Sequence, residues 1–227
     1  MELLDAIKSR KSIRAFKPDS VNKQTLMDIL DTAIRAPSGV NLQPWEFYVV
    51  AGDALEKLKR ANLEAYRQGK MPEPELPVGA VKGMAPALEG VYRERQVELA
   101  IQIFRIMGIT KGDKKKQEEW NESMVRCYDA PAVIIIVADK TLQGGWPILD
   151  IGFVAQNILL AAQEYGLGTC VMRAIVDHPE EVRKIVGIPE SKLIIVGIAI
   201  GYPDLDHPIN GLMTNREKIK NIVTLVE

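Results

Sequence analysis

The sequence predicts a single α+β domain, 1–227, in which helices flank a mixed sheet. Five short runs are rich in β-branched residues and have the length of strands, and amphipathic segments of helical period separate them at irregular intervals. The chain has 227 residues, of which 47% are hydrophobic. A chain of this size and composition can bury one sizeable core, so we expect one domain.

The first half of the chain predicts helices around one strand. Apolar residues at helical spacing begin at Leu3, and Asn22 is placed to cap a second, stronger helix. A strand is predicted at 46–51. The stretch that follows is rich in proline and glycine before helical patterns resume. We interpret about 67–125 as a variable lid or insertion on a core that is built from the two ends of the chain.

The second half predicts the centre of the sheet. Strands are expected at 132–138, 169–172 and 193–201, and a long helix at 148–165. A last strand at 222–226 lies far from any partner in the sequence. Its backbone groups would be satisfied by pairing with a second chain, so we predict a homodimer whose C-terminal tail crosses to the partner.

Composition excludes several classes of function. The net charge is -1 and the pI is near 6.2, which argues against a nucleic-acid or acidic-membrane binder. The two cysteines, Cys127 and Cys170, are far apart and in no CxxC pattern, so neither a disulfide scaffold nor a metal site is expected. No apolar run has the length of a signal peptide or membrane span, and we expect a cytoplasmic protein.

The motifs of side-chain catalysis are absent. No GxGxxG follows a strand, and there is no P-loop, HExxH or GxSxG motif. Gly166 and Gly168 fall at a helix end, where we interpret them as a C-cap. His178 and His207 both precede proline and are interpreted as capping or surface residues. We therefore expect no catalytic side chain and a chemistry supplied by a bound cofactor.

The first candidate site is the basic run RKSIR. In an extended segment Arg10, Ser12 and Arg14 share one face, with Ile13 on the other. Two guanidinium groups and a hydroxyl on one face suit a phosphate, since arginine donates two parallel bonds to its oxygens. The alternative is a set of cations that complements the dipole of the preceding helix. The residues alone leave both open.

The second candidate is the uncharged loop of APSGVNLQPW, before the first strand. Amide groups such as those of Asn41 and Gln43 donate and accept at once, which suits a polar-edged heterocycle. A capped helix end followed by a turn is the alternative. The third candidate is Arg216, which could join a phosphate cluster and otherwise belongs to a charged surface turn.

Together these pieces resemble the nitroreductase family of FMN-dependent NAD(P)H oxidoreductases. RKSIR resembles the family's RRSxR, APSGVNLQPW its APSxxNxQPW, and AAQEYGLGTC its LAAxxLGLGTC. The strand at 194–201 with Tyr202-Pro203 resembles its GYP exit, and Arg216 its late phosphate-binding arginine. The resemblance covers about 1–60 and 127–220. It implies a central mixed, mostly antiparallel sheet and a homodimer with FMN at the subunit interface.

The resemblance also implies roles for individual residues. One subunit would hold the phosphate or its neighbourhood, reach the polar edge of the ring with an arginine, and run a short segment past flavin N5. The second subunit would supply the loop. The implied cofactor-binding residues are Arg10, Lys11, Ser12, Arg14, Met172, Arg173, Ala174 and Arg216 from one subunit and Pro37, Ser38, Gly39, Asn41 and Gln43 from the other.

The implied activity is ping-pong transfer of hydride from NAD(P)H, through flavin N5, to an electron-poor small molecule such as a nitroaromatic or a quinone. Two alternatives stay open. One is a specialised reaction on the same flavin, such as reductive dehalogenation or flavin cleavage. The other is a flavin-binding module without turnover. The sequence selects neither NADH nor NADPH, nor the physiological acceptor.

Overall fold

The computed structural model describes residues 2–76, 88–142 and 144–227. Part of the predicted lid, 77–87, lies outside the described residues. The helices agree with the periodicity of the sequence, and the Asn22 side chain accepts the N–H of Gln24 as the predicted cap. The helices are α1 Leu3–Ser9, α2 Lys23–Ala33, α3 Gly52–Arg67, α4 Gly90–Ile106, α5 Lys114–Val125, α6 Trp146–Glu164 and α7 Pro179–Val186.

In the described ranges, four strands form one sheet in the order β1-β2-β4-β3. The three neighbouring pairs are antiparallel, and among the described residues the parallel character of the predicted mixed sheet is confined to an isolated bridge between Ser12 and Thr169. The predicted strands at 46–51, 132–138, 169–172 and 193–201 are confirmed to within one residue. Their bounds are β1 Glu46–Ala51, β2 Ala132–Asp139, β3 Gly168–Met172 and β4 Lys192–Gly201.

The sheet lies between two layers of helices. Successive residues of β2 point to opposite faces, so Ile134 and Ile136 pack with α2 and α6 while Val133 and Ile135 pack with α3, α5 and α7. Residues 132–138 are all buried, which explains their uninterrupted apolar run. Helix α5, which lies in the segment predicted as a lid, is part of this packing, because Trp120 contacts the hydrophobic cluster that contains Val133 and Ile135.

Two predicted apolar segments lie on the surface of the single chain. Residues 222–226 form no strand: a 3-10 turn at Ile219–Asn221 leads into an irregular tail, and residues 213–227 are all exposed. A strand needs an edge to pair with, and the tail pairs with no edge of the described sheet. On α1, Leu3, Leu4 and Ile7 point outward and Ala6 alone is buried.

Candidate functional site

The N-terminal basic segment lies along β3. The N–H of Ile13 donates to the Thr169 carbonyl over 2.9 Å, beside the Ser12 bridge. Ile13 is buried against Gly168, where a Cβ atom would stand 2.4 Å from Cγ1 of Ile13. Gly168 is therefore required for this close approach. The sequence predicts it as part of the C-cap at the end of α6, and the structure does not give it that role. Gly166, with a φ of +68°, takes the left-handed position after α6.

Arg10, Ser12 and Arg14 of this segment all act on one buried thiol of β3. Burial raises the pKa of the Cys170 thiol, and the Arg14, Ser12 and Arg10 side chains oppose that rise. Arg10 and Arg14 line different cavities, so the chain does not bring their guanidinium groups to a single point. Ile13 turns into the core, as expected from an extended segment.

Arg14 is held from two sides. Its backbone N–H donates to Oδ1 of Asn210 over 2.8 Å. Its guanidinium lies beside the phenol of Tyr128, whose ring centroid is 5.4 Å from that of Trp120, in a cavity of about 390 Å³. Burial raises the pKa of Tyr128, and the Arg14 charge opposes the rise. Sequence reasoning missed Tyr128 and Asn210, because neither belongs to a motif or to a periodic pattern.

The cations of the site lack acidic partners. In the described ranges, no carboxylate forms an ion pair with Arg10, Lys11, Arg14 or Arg216. Arg10 and Lys11 line a shallow groove with Gln163. Cations that no carboxylate neutralises, next to a hydroxyl, suit a dianionic phosphate, so these residues fit the phosphate end of FMN.

Arg216 lies apart from this groove. Its guanidinium donates to the Thr214 hydroxyl over 2.7 Å and to the Thr214 carbonyl over 3.1 Å. The neighbouring Glu217 pairs with Arg95 of α4 at 2.9 Å. The structure thus places Arg216 in a groove along α4 and does not bring it beside Arg10 within the chain.

The uncharged loop turns its amide side chains outward. Its 3-10 turn spans Gly39–Asn41, and left-handed φ values occur at Val40 (+46°), Asn41 (+59°) and Gln43 (+48°). The Gln43 N–H donates to the Ser38 hydroxyl over 3.0 Å, which closes the loop. Ser38 is half-buried, whereas the other predicted contact residues are exposed: Pro37, Gly39, Asn41 and Gln43.

Helix α6 separates the loop from the basic segment. Near the start of the helix, the Asp150 carboxylate accepts the Gly39 N–H at 3.2 and 3.3 Å. Near its end, Gln163 donates to the Ala6 carbonyl and accepts from Ser9, immediately before the basic run. Gln163 follows Asp150 by 163 − 150 = 13 residues, or about 20 Å along a helix. One chain therefore does not bring the two halves of the predicted site together.

The third predicted segment is fixed at the end of β3. Met172 and Ala174 are buried, and a 3-10 turn begins at Arg173. Nη1 of Arg173 and Oδ1 of Asp177 lie 2.5 Å apart, but their geometry does not form a hydrogen bond. Burial raises the pKa of Asp177, and Arg173 opposes the rise. Asn62 of α3 donates to the Ala174 carbonyl over 3.3 Å, which ties the turn to the helix layer.

In the described part of the chain, His, Cys, Asp and Glu residues nowhere gather in threes as a metal site would require. Among its helices, none combines the length and apolarity needed to cross a bilayer.

Comparison with known proteins gives consistent matches over the chain. The family model described as "Nitroreductase family" matches residues 7–202. A 4-nitrobenzoate reductase of Nocardioides sp. (strain LMS-CY) is 30% identical over 100% of this chain and 91% of its own length. A nitrobenzene nitroreductase of Ectopseudomonas oleovorans is 31% identical over 98% of this chain and 96% of its own length. The FMN-dependent nitroreductase NfnB from Mycobacterium smegmatis, solved in complex with NADPH, superposes with a TM-score of 0.89 at 26% identity, over 99% of this chain and 97% of NfnB.

Proposed function

This chain belongs to the nitroreductase family and is an FMN-dependent oxidoreductase, and we propose that it uses NAD(P)H to reduce nitroaromatic acceptors, with quinones as further acceptors. FMN, held by the residues named below, would supply hydride transfer between the nicotinamide and the acceptor. The relatives whose names specify nitrobenzene and 4-nitrobenzoate support this substrate class. The cytoplasmic location stays a prediction.

The observation that carries the proposal is that Arg10 and Lys11 line one groove beside β3 and have no carboxylate partner in the described ranges. Arg10, Ser12 and Lys11 would hold the phosphate or its neighbourhood, because no carboxylate competes for their charge in the described ranges. Arg14 would face the ring near N1 and O2. A fixed positive charge there favours the anionic reduced flavin, so Arg14 would tune the potential as well as bind.

The segment that follows β3 would run past the reactive edge of the ring. A backbone N–H between Met172 and Ala174 would lie near N5. The Asn62 bond to the Ala174 carbonyl and the Arg173–Asp177 pair support a rigid segment there. A fixed donor needs no reorganisation during hydride transfer, and no acid or base side chain is required in the step.

We further propose a homodimer in which the loop of one subunit completes the site of the other. The loop residues are Pro37, Ser38, Gly39, Asn41 and Gln43. The separation of about 20 Å along α6 supports contribution by a second copy. Arg216 lies apart from Arg10 within the chain, and its role at the phosphate stays a prediction.

Two surfaces support the dimer. The outer edge of β1 has no neighbour in the described sheet, and the apolar tail at 219–226 is exposed. Pairing of the partner's tail with the edge of β1 would satisfy the backbone hydrogen-bonding groups of the edge and cover the apolar tail. Helix α6 also exposes Trp146, Leu149 and Phe153 along one side, which is consistent with burial between subunits.

An anaerobic reduction experiment tests the activity. The FMN-loaded protein is mixed with NADH or NADPH, and flavin absorbance is followed before and after a nitroaromatic, a quinone or a halogenated phenol is added. We expect bleaching by a nicotinamide and rapid reoxidation by the nitroaromatic. Reoxidation by the halogenated phenol alone, with release of halide, would indicate dehalogenation. Bound FMN that neither nicotinamide bleaches would indicate a binding module, and a protein that binds no FMN would contradict all three.

Truncation tests the assembly. Removal of the residues after 217 should yield a monomer or insoluble protein, because the tail's pairing and apolar burial are lost. The mass is measured by light scattering on the eluted peak. A truncated chain that remains a soluble dimer of normal stability would contradict the crossing tail.

A further inference from the structure

A buried carboxylate that the flavin chemistry does not use holds the uncharged loop. Asp150 lies in the second turn of α6 with 2% of its surface exposed. In the described ranges, the hydrogen bonds to its two oxygens both come from the Gly39 N–H, at 3.2 and 3.3 Å. A buried carboxylate needs a hydrogen-bond donor, so this contact fixes where the backbone of Gly39 can lie.

The loop that Asp150 holds has a conformation that its own residues disfavour. Val40 is β-branched, yet it has a φ of +46°, and its side chain is 100% exposed. Such a backbone persists only when surrounding contacts determine it. The Ser38 hydroxyl closes the loop internally through the Gln43 N–H, whereas Asp150 ties the loop to the helix layer.

The loop's outward face makes few contacts with the described part of its own chain. Asn41 and Gln43 are exposed, and their one mutual contact is a bond from Nε2 of Gln43 to the Asn41 carbonyl at 3.4 Å. A strained backbone that is anchored from behind and presents amides forward suits a preformed contact surface. On the proposed function, that surface faces the flavin of the partner subunit.

We propose that Asp150 is a positioning residue that acts in trans: its carboxylate fixes the backbone of the loop at 38–43, and so presents Asn41 and Gln43 to the flavin in the other subunit. The inference rests on the proposed function and adds a residue that touches neither cofactor nor substrate. It also assigns the strain at Val40 to the shape of the contact surface.

Single variants test the positioning. Asp150→Ala removes the acceptor, and Asp150→Asn keeps its shape and one oxygen that can still accept the Gly39 N–H. We expect Asp150→Ala to weaken FMN binding at least about tenfold and to shift the midpoint potential of the bound flavin, with Asp150→Asn between it and wild type. Asp31→Asn is the matched control, since it removes an exposed carboxylate from α2 and should change neither value.

These variants separate positioning from folding. Should Asp150→Ala fail to fold, the shift of potential in Asp150→Asn decides the question, because a merely structural change would lower thermal stability without moving the potential. The inference would be overturned if Asp150→Asn, and Asp150→Ala where it folds, had the FMN affinity and midpoint potential of the wild type. In that case the binding of FMN by the wild-type protein would leave the proposed function intact. A wild-type protein that binds no FMN would instead overturn the proposed function, and the inference with it.

A mixed dimer tests the action in trans. One chain carries Asp150→Ala and the other Arg10→Ala, with different affinity tags so that the heterodimer is isolated. If the loop serves the partner, both defects fall in one site and the other is intact, so half of the FMN binds with wild-type affinity. If the loop serves its own chain, each site carries one defect and no wild-type site remains, which would overturn the inference.

Discussion

Gly168→Ala tests the contact that carries the basic segment. The added Cβ would stand 2.4 Å from Cγ1, 3.0 Å from Cβ and 3.2 Å from Cγ2 of Ile13. Rotation of the Ile13 side chain moves Cγ1 but leaves Cβ in place, so it relieves the overlap only in part. The segment must move away from β3, which strains the 2.9 Å bond between the Ile13 N–H and the Thr169 carbonyl.

The expected cost follows from overpacking in a buried site, about 2 kcal/mol. For a chain of this size that lowers Tm by about 4–8 °C. FMN affinity should fall as well, since Arg10, Ser12 and Arg14 move with the segment. Tm is measured on the apoprotein by calorimetry, and affinity by the quenching of flavin fluorescence.

A double-mutant cycle isolates the contact. Ile13→Ala alone should cost about 2–5 kcal/mol as a buried cavity. The double variant with Gly168→Ala should cost less than the sum of the two, because Ile13→Ala removes Cγ1 and Cγ2. Gly211→Ala is the matched control: it meets nothing within 4 Å and should stay within about 0.5 kcal/mol of wild type. Unchanged Tm and FMN affinity in Gly168→Ala would refute the reasoning.

Two further predictions concern charge. Glu75→Gln should lower the free energy of unfolding at pH 7 by about 3 kcal/mol, because the carboxylate accepts Arg183 and the Ile194 N–H, each at 2.6 Å. Glu190→Gln removes an 85% exposed carboxylate from the same Arg183 and should have little effect. Burial raises the pKa of Glu75, but the Ile194 and Arg183 bonds outweigh it and the pKa lies below its ordinary value. The stabilisation by the Glu75 carboxylate is therefore present above about pH 4.3 and is lost as pH falls through the folded pKa. Glu75→Gln should flatten the acid limb of a plot of Tm against pH, and an unaltered limb would contradict this prediction. Arg14→Ala should weaken FMN binding by about 2–3 kcal/mol or lower the flavin potential, as measured by fluorescence and anaerobic redox titration; no change in either would remove Arg14 from the ring edge.

Local sequence patterns predicted those parts of the site that lie within a few consecutive residues. The alternation of Arg10, Ser12 and Arg14 against Ile13 follows from the two-residue period of an extended chain, and Ile13 is buried as that period predicts. The roles of Gly168 and Tyr128 could not be predicted in this way. Gly168 resembles an ordinary helix end, and Tyr128 gains its place beside Arg14 from a turn that no periodicity encodes.

The sequence by itself determined the four strands of the described sheet and the faces that they bury. The uninterrupted apolar run at 132–138 predicts a strand that is buried on both sides, because backbone geometry makes period and burial visible in a short window. Only the tertiary structure decided how distant elements meet. The Asp150–Gly39 contact joins residues 111 positions apart, and the length of α6 keeps the loop and the basic segment at opposite ends of one helix. Contacts of that range depend on the packing of whole elements, for which a local sequence carries no signature.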